Sequence, residues 1–213
     1  MHGTSPSMLS REHILHEVQR LKVAYALKRT LRYATTRDLS VHNESVAEHV
    51  FALFFLARYF LPIEDPDHTM DWHKVYDILL YHDFGEIKHG DVCFHLKTAD
   101  DEERERVAAE EVFAALPSSM GKNARDSWTE YELRSTPEAR FAYALDKLEP
   151  VFELFDEINQ KSIAQLQVTY ELYYEVKHRA TSAFPHMEMF LRYMSEELQK
   201  RDVFWKPEMS IKA

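Results

Sequence analysis

The sequence predicts an all-α protein, a helical bundle that forms a single domain. Glycine is scarce, with 4 residues among 213. This argues against glycine-rich phosphate loops, dinucleotide folds and hairpin-rich β architecture, because all of these need positive φ or close backbone approach. Apolar residues recur at helical spacing along most of the chain. Hydrophobic residues make up 45% and charged residues 29%, which is typical of a globular protein with a substantial core.

Side chains that can cap free backbone N–H groups mark where the helices begin. Ser10 can cap a first helix that we expect to run to about Thr30. Ser45 and Glu48 form a capping-box pattern at the start of a strongly apolar helix, which we expect to end at Leu61 because a proline follows. In chain order, the predicted helices cover residues 11–30, 46–61, 72–83, 99–116, 122–134, 137–158, 162–181 and 184–200.

The later elements have their own local signals. Gly85 and Gly90 indicate a broken connection after the third helix. The helix at 99–116 is expected to bury a face that includes Val107 and Phe113, and Pro137 suits the first position of a helix. No repeat or Pro/Gly/Ser-rich linker divides the chain. We expect residues 1–10 to form a flexible N-terminus, 11–205 the folded domain and 206–213 a C-terminal tail.

The charge balance restricts the possible partners. The formal net charge is −10, and this opposes binding to a nucleic acid polymer, whose phosphates are bound by Lys and Arg. A small phosphorylated substrate would need local cations or a metal ion. The single cysteine, Cys93, excludes an internal disulfide framework and a cysteine-based zinc site. Residues 1–10 lack an apolar signal region and the longest apolar run, 50–57, is short for a membrane span, so we expect a cytoplasmic protein without membrane attachment.

The adjacent pair His82 and Asp83 is the most informative feature. An imidazole and a carboxylate at the end of a helix could both bind one divalent ion. His49, 33 positions earlier, lies on an apolar helical stripe, and Asp146 lies 63 positions after Asp83. Each residue alone is more often structural, as a buried histidine or as a carboxylate paired with a neighbour such as Lys147. The combination predicts a metal site.

Three ordered blocks carry a family resemblance: Asn43–His49, His82–Asp91 and Ser135–Glu149. They resemble the HD-domain metal-dependent phosphohydrolases, and more closely the branch of small 5'-deoxynucleotidases. The resemblance spans roughly residues 20 to 160. It implies an all-α HD-domain bundle with one divalent metal ion, namely Mn, Co, Fe or Zn. It implies four metal ligands: His49, His82, Asp83 and Asp146.

The same resemblance implies roles for residues near the ligands. Glu86 would direct or deprotonate the attacking water, and Asp91 would contact the sugar and help to reject a 2'-hydroxyl. The branch usually has an Arg-Trp pair before the first ligand helix, but here no Trp precedes Trp72. Arg32 is our candidate for binding the phosphate, with Arg37 as the alternative. Tyr33 offers a surface on which a base could stack.

The resemblance therefore implies hydrolysis of deoxyribonucleoside 5'-monophosphates. It also implies a homodimer, to which the stretch 170–205, rich in Tyr, Phe and Met, could contribute. Three alternatives stay open. HD proteins with two metals add histidines, yet none occurs between His95 and His178. Hydrolases of longer phosphate chains would need more basic residues than Lys88 and Lys97 between positions 80 and 100, whereas another nucleotide or phosphorylated metabolite stays open as the substrate. A non-catalytic metal-binding module would not need Glu86.

Overall fold

The computed structural model of the chain describes residues 10–33, 44–155, 159–160, 163 and 165–207. Within these ranges the regular elements are helices, and the β structure is one isolated bridge between Leu31 and Ser45. This confirms the all-α fold class. The α-helices are α1 Arg11–Leu21, α2 Val46–Glu64, α3 Trp72–Tyr81, α4 Glu86–His89, α5 Ala99–Ala115, α6 Ser118–Leu133, α7 Pro137–Glu153, α8 Tyr170–Thr181 and α9 Pro185–Lys200.

The predicted helix starts are confirmed by capping hydrogen bonds. The side chains of Ser10, Asp71 and Thr136 each accept a hydrogen bond from a backbone N–H two or three residues later. The capping box at α2 is complete, because Ser45 Oγ accepts from the Glu48 N–H at 3.3 Å and Glu48 Oε2 accepts from the Ser45 N–H at 2.7 Å. Such caps satisfy N–H groups that have no partner inside the helix, typically worth about 1 kcal/mol.

Helix α7 lies at the centre of the bundle, and α2, α3, α6, α8 and α9 all pack against it. Its large apolar side chains Phe141, Leu145 and Leu148 are fully buried. The buried residues Ala142 and Ala144 have small side chains, so neighbouring helices can approach α7 closely at these positions. Burying one Leu or Phe contributes about 1.5–3 kcal/mol, so this helix is a main source of stability. A polar residue on its inner faces must therefore find partners inside the protein.

The expectation that the first helix runs to Thr30 is wrong. Helix α1 ends at Leu21, and a 3₁₀ helix follows at Ala24–Lys28. Here the backbone changes to bonds between residues three apart, such as Tyr25 N–H to Lys22 O at 3.1 Å. The break lets Leu27 reach an apolar cluster with residues of α2, α3 and α5, while the apolar side chains of α1 remain largely exposed.

Helix α2 does not end before Pro62 as expected but continues to Glu64. Proline removes one N–H donor, whose acceptor would be the carbonyl of Arg58 four residues earlier. Arg58 is exposed, so its carbonyl can bind water and the last turn tolerates the loss. Helix α2 is also the one helix in the described ranges that is long and apolar enough to cross a membrane. Core helices pass the same test, and Leu53 and Phe60 are fully buried.

Other boundaries also differ from the prediction. Helix α6 begins at Ser118 rather than 122 because Pro117, with no N–H of its own, takes the N-cap position. Helix α7 ends at Glu153 rather than 158. The helix predicted at 162–181 is interrupted: residues 163 and 165 are helical, 166–169 are not, and α8 begins at 170 after a Thr169 cap. Val107, expected on the buried face of α5, is 45% exposed.

Several predictions fall on residues outside the described ranges. These concern the flexible N-terminus up to residue 9, the loop 34–43 with Arg37, and the tail from 208. The division into N-terminus, domain and tail therefore stays a prediction. The aromatic C-terminal stretch is partly in the core, where Tyr173, Met187 and Leu191 are buried, whereas Tyr193 is 57% exposed. The most exposed aromatic side chains are on α2, where Phe51 and Phe55 are 70% and 73% exposed.

Candidate metal centre and active-site pocket

Three helices bring the four predicted metal ligands together. His49 lies in the first turns of α2, His82 is the C-cap of α3 with Asp83 directly after it, and Asp146 lies in the middle of α7. His49 Nε2 is 3.1 Å from Asp146 Oδ1 and 3.8 Å from Asp83 Oδ2. His82 Nε2 is 3.1 Å from Asp83 Oδ2 and 3.7 Å from Asp146 Oδ1. Two nitrogens and two carboxylate oxygens thus face one point.

The hydrogen bonds of His82 fix which nitrogen faces this point. His82 Nδ1 lies 2.9 Å from the Leu79 carbonyl, so Nδ1 carries the proton and donates it. Nε2 therefore points into the cluster, where it is buried without a hydrogen bond of good geometry among the described residues and lies 3.1 Å from Asp83 Oδ2. A divalent cation could take the place of a proton on Nε2, and the two-histidine, two-carboxylate set suits a transition metal.

His49 is held from its other side by Glu149. His49 Nδ1 is 2.9 Å from Glu149 Oε2, and both residues are fully or almost fully buried. When Nδ1–H donates to this carboxylate, Nε2 is free to bind a metal. Glu149 lies three residues after Asp146, so the two carboxylates share one face of α7. This role has no local signal in the sequence, because the contact depends on how α2 packs against α7.

The guanidinium of Arg32 fills a second group of possible ligand atoms around His49. Glu44, His49 and Glu149 could together hold a cation. Arg32 Nη1 lies among them, 3.3 Å from Glu44 Oε2, 2.9 Å from His49 Nδ1 and 3.2 Å from Glu149 Oε2. A positive charge is thus already supplied at this position by the chain itself. The arrangement fits the expected single metal ion.

The carboxylates set the protonation of the cluster. Burial lowers the pKa of His82, but Asp83 and Asp146 outweigh it and raise the pKa to about 10. Burial and Arg32 lower the pKa of His49, while Glu149 and Asp146 raise it to about 9. The acidic groups therefore attract positive charge strongly. A metal ion that binds here displaces protons from the imidazoles.

The second oxygen of Asp146 is bound by two further side chains. Tyr131 Oη donates to Asp146 Oδ2 at 2.6 Å, and Lys147 Nζ lies 2.7 Å from the same atom. The ion pair between Asp146 and Lys147, the alternative to a metal-binding role for Asp146, is thus present. It uses Oδ2 and leaves Oδ1 facing the two histidines, so Asp146 can pair with Lys147 and bind a metal at the same time.

Glu86 lies beside the four ligands in a cavity of about 340 Å³, which His82, Asp83 and Asp146 also line. Helix α3 ends at Tyr81, two residues before the predicted end at 83, and a turn in the expected broken connection brings Glu86 to the cavity. Glu86 Oε2 is buried with no hydrogen-bond partner among the described residues. Burial, then the carboxylates of Asp83, Asp91 and Glu105, hold the pKa of Glu86 well above its usual range.

The three predicted substrate residues line the same cavity. Asp91 Oδ2 accepts a hydrogen bond from the Tyr33 N–H at 2.6 Å. Gly90 has φ of +83°, a conformation that favours glycine and turns the chain towards Asp91. Arg32 is only 6% exposed, and besides its contacts around His49 it donates to Tyr33 Oη at 3.1 Å. A phosphate contact by Arg32 stays a prediction.

Sequence reasoning missed three cations on the other side of the cavity, Lys97, Arg134 and Lys147. Lys147 and Arg134 also lie near the ring of Tyr143, 5.1 Å and 4.6 Å from its centre. Lys147 follows a predicted ligand directly, and this adjacency was an available signal. The position of Arg134 depends on the packing of α6 against α7 and has no local signal.

Comparison with known proteins agrees with this geometry. The family description "HD domain" matches residues 24–188, well over half of the chain. The chain belongs to the HD-domain family. This confirms the predicted family and, with it, the class of metal-dependent phosphohydrolases.

Individual relatives are more distant. The protein named 5'-deoxynucleotidase HDDC2 from Danio rerio is 28% identical over 138 residues, which are 64% of this chain and 66% of that protein. The chain thus spans slightly under two thirds of that relative. The protein named 5'-deoxynucleotidase hdd1 from Schizosaccharomyces pombe is 25% identical over 173 residues, 76% of this chain and 78% of that protein. A solved structure from Magnetospirillum magnetotacticum, titled a predicted metal-dependent phosphohydrolase, is 28% identical with a TM-score of 0.75, and covers 91% of this chain and 98% of its own.

Proposed function

We propose that this protein is a phosphomonoesterase that hydrolyses deoxyribonucleoside 5'-monophosphates to deoxynucleoside and phosphate. The observation that carries the proposal is the convergence of the His49 and His82 nitrogens with the Asp83 and Asp146 carboxylates at the edge of a cavity of about 340 Å³ that Glu86 also lines. The choice of substrate is supported by the names of the relatives from Danio rerio and Schizosaccharomyces pombe.

One divalent ion, Mn, Co, Fe or Zn, would be held by His49, His82, Asp83 and Asp146. Such an ion polarises a phosphate oxygen and lowers the pKa of water. Leu79 O and Glu149 keep the two imidazoles in the tautomers that present Nε2. Because these contacts exist in the folded chain, the ligands need little rearrangement on binding.

In the proposed reaction Glu86 takes the proton of the attacking water. A carboxylate with a raised pKa is a stronger base, and burial is the main reason why the pKa of Glu86 is raised. The charge of the phosphate would be balanced by Lys147 and Arg134 on one side of the cavity and by Arg32 on the other. These cations compensate locally for the net charge of −10.

The proposed sugar contact is Asp91, whose carboxylate is oriented by the Tyr33 N–H. A carboxylate that accepts a hydrogen bond from the 3'-hydroxyl would leave little room for a 2'-hydroxyl. Tyr33 would provide an aromatic surface for the base, as a replacement for the family's Trp. We therefore propose that deoxyribonucleotides are better substrates than ribonucleotides.

A cytoplasmic location and a homodimer are further parts of this proposal and rest on the family resemblance. The exposed aromatic residues of α2 give the dimer a physical test. If Phe51 and Phe55 lie in its interface, changing both to Ser will convert the dimer to a monomer in size-exclusion chromatography with light scattering. A wild-type protein that is monomeric at micromolar concentration would contradict the dimer.

The function is tested by a substrate screen. The purified protein, loaded in turn with Mn, Co, Fe or Zn, is incubated with deoxy- and ribonucleoside 5'-monophosphates, and phosphate release is measured. We expect release from deoxynucleotides, with slower release from ribonucleotides. An intact, metal-loaded protein that hydrolyses no monophosphate with any of these metals would leave the non-catalytic module as the better explanation. Selective turnover of another phosphorylated metabolite would correct the substrate but keep the enzyme class.

A further inference from the structure

A second cavity, of about 360 Å³, adjoins the candidate active site. Arg134, Tyr143 and Val176 line both cavities and therefore form the wall between them. The second cavity is similar in volume to the first, which is about 340 Å³. A group that enters one cavity thus lies directly beside the other.

The charge of this cavity is opposite to that of the protein as a whole. Arg134, Arg140 and Arg179 line it, and none of its lining residues among the described ranges is acidic. The arginines come from the C-terminal end of α6, from α7 and from α8, so they are distant in sequence and are brought together by the fold. The carboxylate of Glu175 pairs with Arg179 but does not line the cavity. Three guanidinium groups around one concave space favour an anion.

The backbone at Arg134 provides a second, independent observation. Arg134 ends α6 in the left-handed conformation, with φ of 49° and ψ of 35°. Glycine is the usual residue at such a helix end, because a side chain there is strained. The chain instead carries an arginine, and Arg140 Nη1 donates to the Arg134 carbonyl at 3.3 Å. Strained positions that a neighbour holds in place are concentrated at functional sites.

Tyr143 connects this cavity physically to the metal centre. Arg134 lies over the Tyr143 ring at 4.6 Å and Lys147 lies 5.1 Å from the same ring centre. Lys147 in turn is 2.7 Å from Asp146 Oδ2. One aromatic ring therefore separates the arginine cavity from the side chains that would surround the reacting phosphate.

We propose that the cavity lined by Arg134, Arg140 and Arg179 binds a second phosphate group. The phosphate has two possible sources. It could be a further phosphate of the molecule that occupies the candidate active site, such as the outer phosphate of a deoxynucleoside 5'-diphosphate, or a separate phosphate ion. Planar guanidinium groups bind phosphate oxygens in pairs of parallel hydrogen bonds. The first source rests on the proposed function, whereas the second does not.

The anion site itself is tested without catalysis. Inorganic phosphate is titrated into the full-length, metal-free protein at low salt, and the dissociation constant is measured by calorimetry. Changing both Arg140→Gln and Arg179→Gln should weaken binding by about tenfold or more, since two charge-assisted contacts are removed. The matched control is Arg106→Gln with Arg192→Gln, which removes the same charge from exposed sites on α5 and α9. Undetectable phosphate binding, or equal affinity in all three proteins, would overturn the proposal.

A second measurement separates the two sources. Deoxyadenosine 5'-monophosphate and deoxyadenosine 5'-diphosphate are titrated into the metal-loaded protein, and their dissociation constants are compared. Tighter binding of the diphosphate, lost in the Arg140/Arg179 variant but kept in the Arg106/Arg192 control, would assign the cavity to a phosphate of the same molecule. Equal binding of both nucleotides, with the phosphate site intact, would assign it to a separate ion. Because only binding is measured, a failure of the proposed hydrolysis does not affect either result.

Discussion

Glu149 is expected to control metal affinity although it does not face the metal position. It accepts a hydrogen bond from His49 Nδ1 at 2.9 Å and lies 3.2 Å from Arg32 Nη1, and it is only 4% exposed. Changing Glu149→Gln keeps the size of the side chain but removes its charge. The remaining amide oxygen is a weaker acceptor for the Nδ1–H, so the imidazole becomes a weaker ligand and its orientation is less fixed.

The expected loss can be bounded. Removing the hydrogen-bonded partner of a metal-binding histidine typically lowers metal affinity by about 10- to 100-fold, which is about 1.4–2.8 kcal/mol. Glutamine can still accept one hydrogen bond, and this places the change near the lower bound. Leucine cannot accept one, so Glu149→Leu should lie near the upper bound.

The matched control is Glu44→Gln, which removes the same charge from the same cluster. Glu44 pairs with Arg32 at 3.3 Å and lies near His49, but it makes no hydrogen bond to the imidazole among the described contacts. Its loss should change metal affinity less than threefold. Dissociation constants for Mn and Zn are measured by calorimetry at one pH, and circular dichroism checks that each variant is folded. Equal affinities for wild type and Glu149→Leu, or equal losses in the Glu149 and Glu44 variants, would refute the proposed orienting role.

Three further predictions test separate features of the molecule. Glu86→Gln should abolish turnover but leave metal affinity within about threefold, whereas Asp83→Asn should weaken metal binding by at least tenfold; a Glu86 variant with full activity would contradict the base assignment. Burial, together with Lys147, lowers the pKa of Lys177 from its unfolded value of 10.5 to about 7. Between these two values the unfolded chain binds more protons, so this lysine makes the folded state more stable as pH rises from about 7 to about 10; urea unfolding of Lys177→Met should show a smaller rise than wild type, and an unchanged slope would exclude this lysine as the cause. Gly121→Ala should reduce the free energy of unfolding by about 1–3 kcal/mol, because the new Cβ would lie 2.4 Å from the Phe113 carbonyl oxygen; the exposed Ser119→Ala in the same helix should be nearly neutral in the same urea titration.

Features with a local signal were the ones that sequence predicted well. The capping box at Ser45 and the N-cap at Ser10 were correct because a cap and its partner lie within three residues of each other. The adjacent His82 and Asp83 were found for the same reason. The errors at Pro62 and at the start of α6 concern how many residues a helix keeps near a proline. At Pro62 this depends on solvent access to a carbonyl group, and at α6 on which residue before the helix takes the N-cap position.

Features that depend on long-range packing were missed. Arg32 and Glu149, which are in contact, lie 117 positions apart in the sequence. The sequence therefore shows that residue 32 is basic but not that its side chain is buried against Glu149. Arg134 and Arg179 come from helices that become neighbours only in the folded chain. The sequence therefore identified the candidate ligands, while the groups that orient them, and the second cavity, became visible only in three dimensions.

The residues of the candidate site differ in how tightly their surroundings are packed. Asp146 and Glu149 lie on the helix that is packed on most sides, so a substitution there disturbs the core as well as the metal centre. Tyr33 and Asp91 line the cavity from connecting segments outside the helices of the bundle. The choice of substrate can thus be changed by substitutions in these segments while the chemical centre is preserved. Mutational libraries that aim at new specificity should begin at positions 33, 91 and 92 and leave α7 and the buried Cys93 intact.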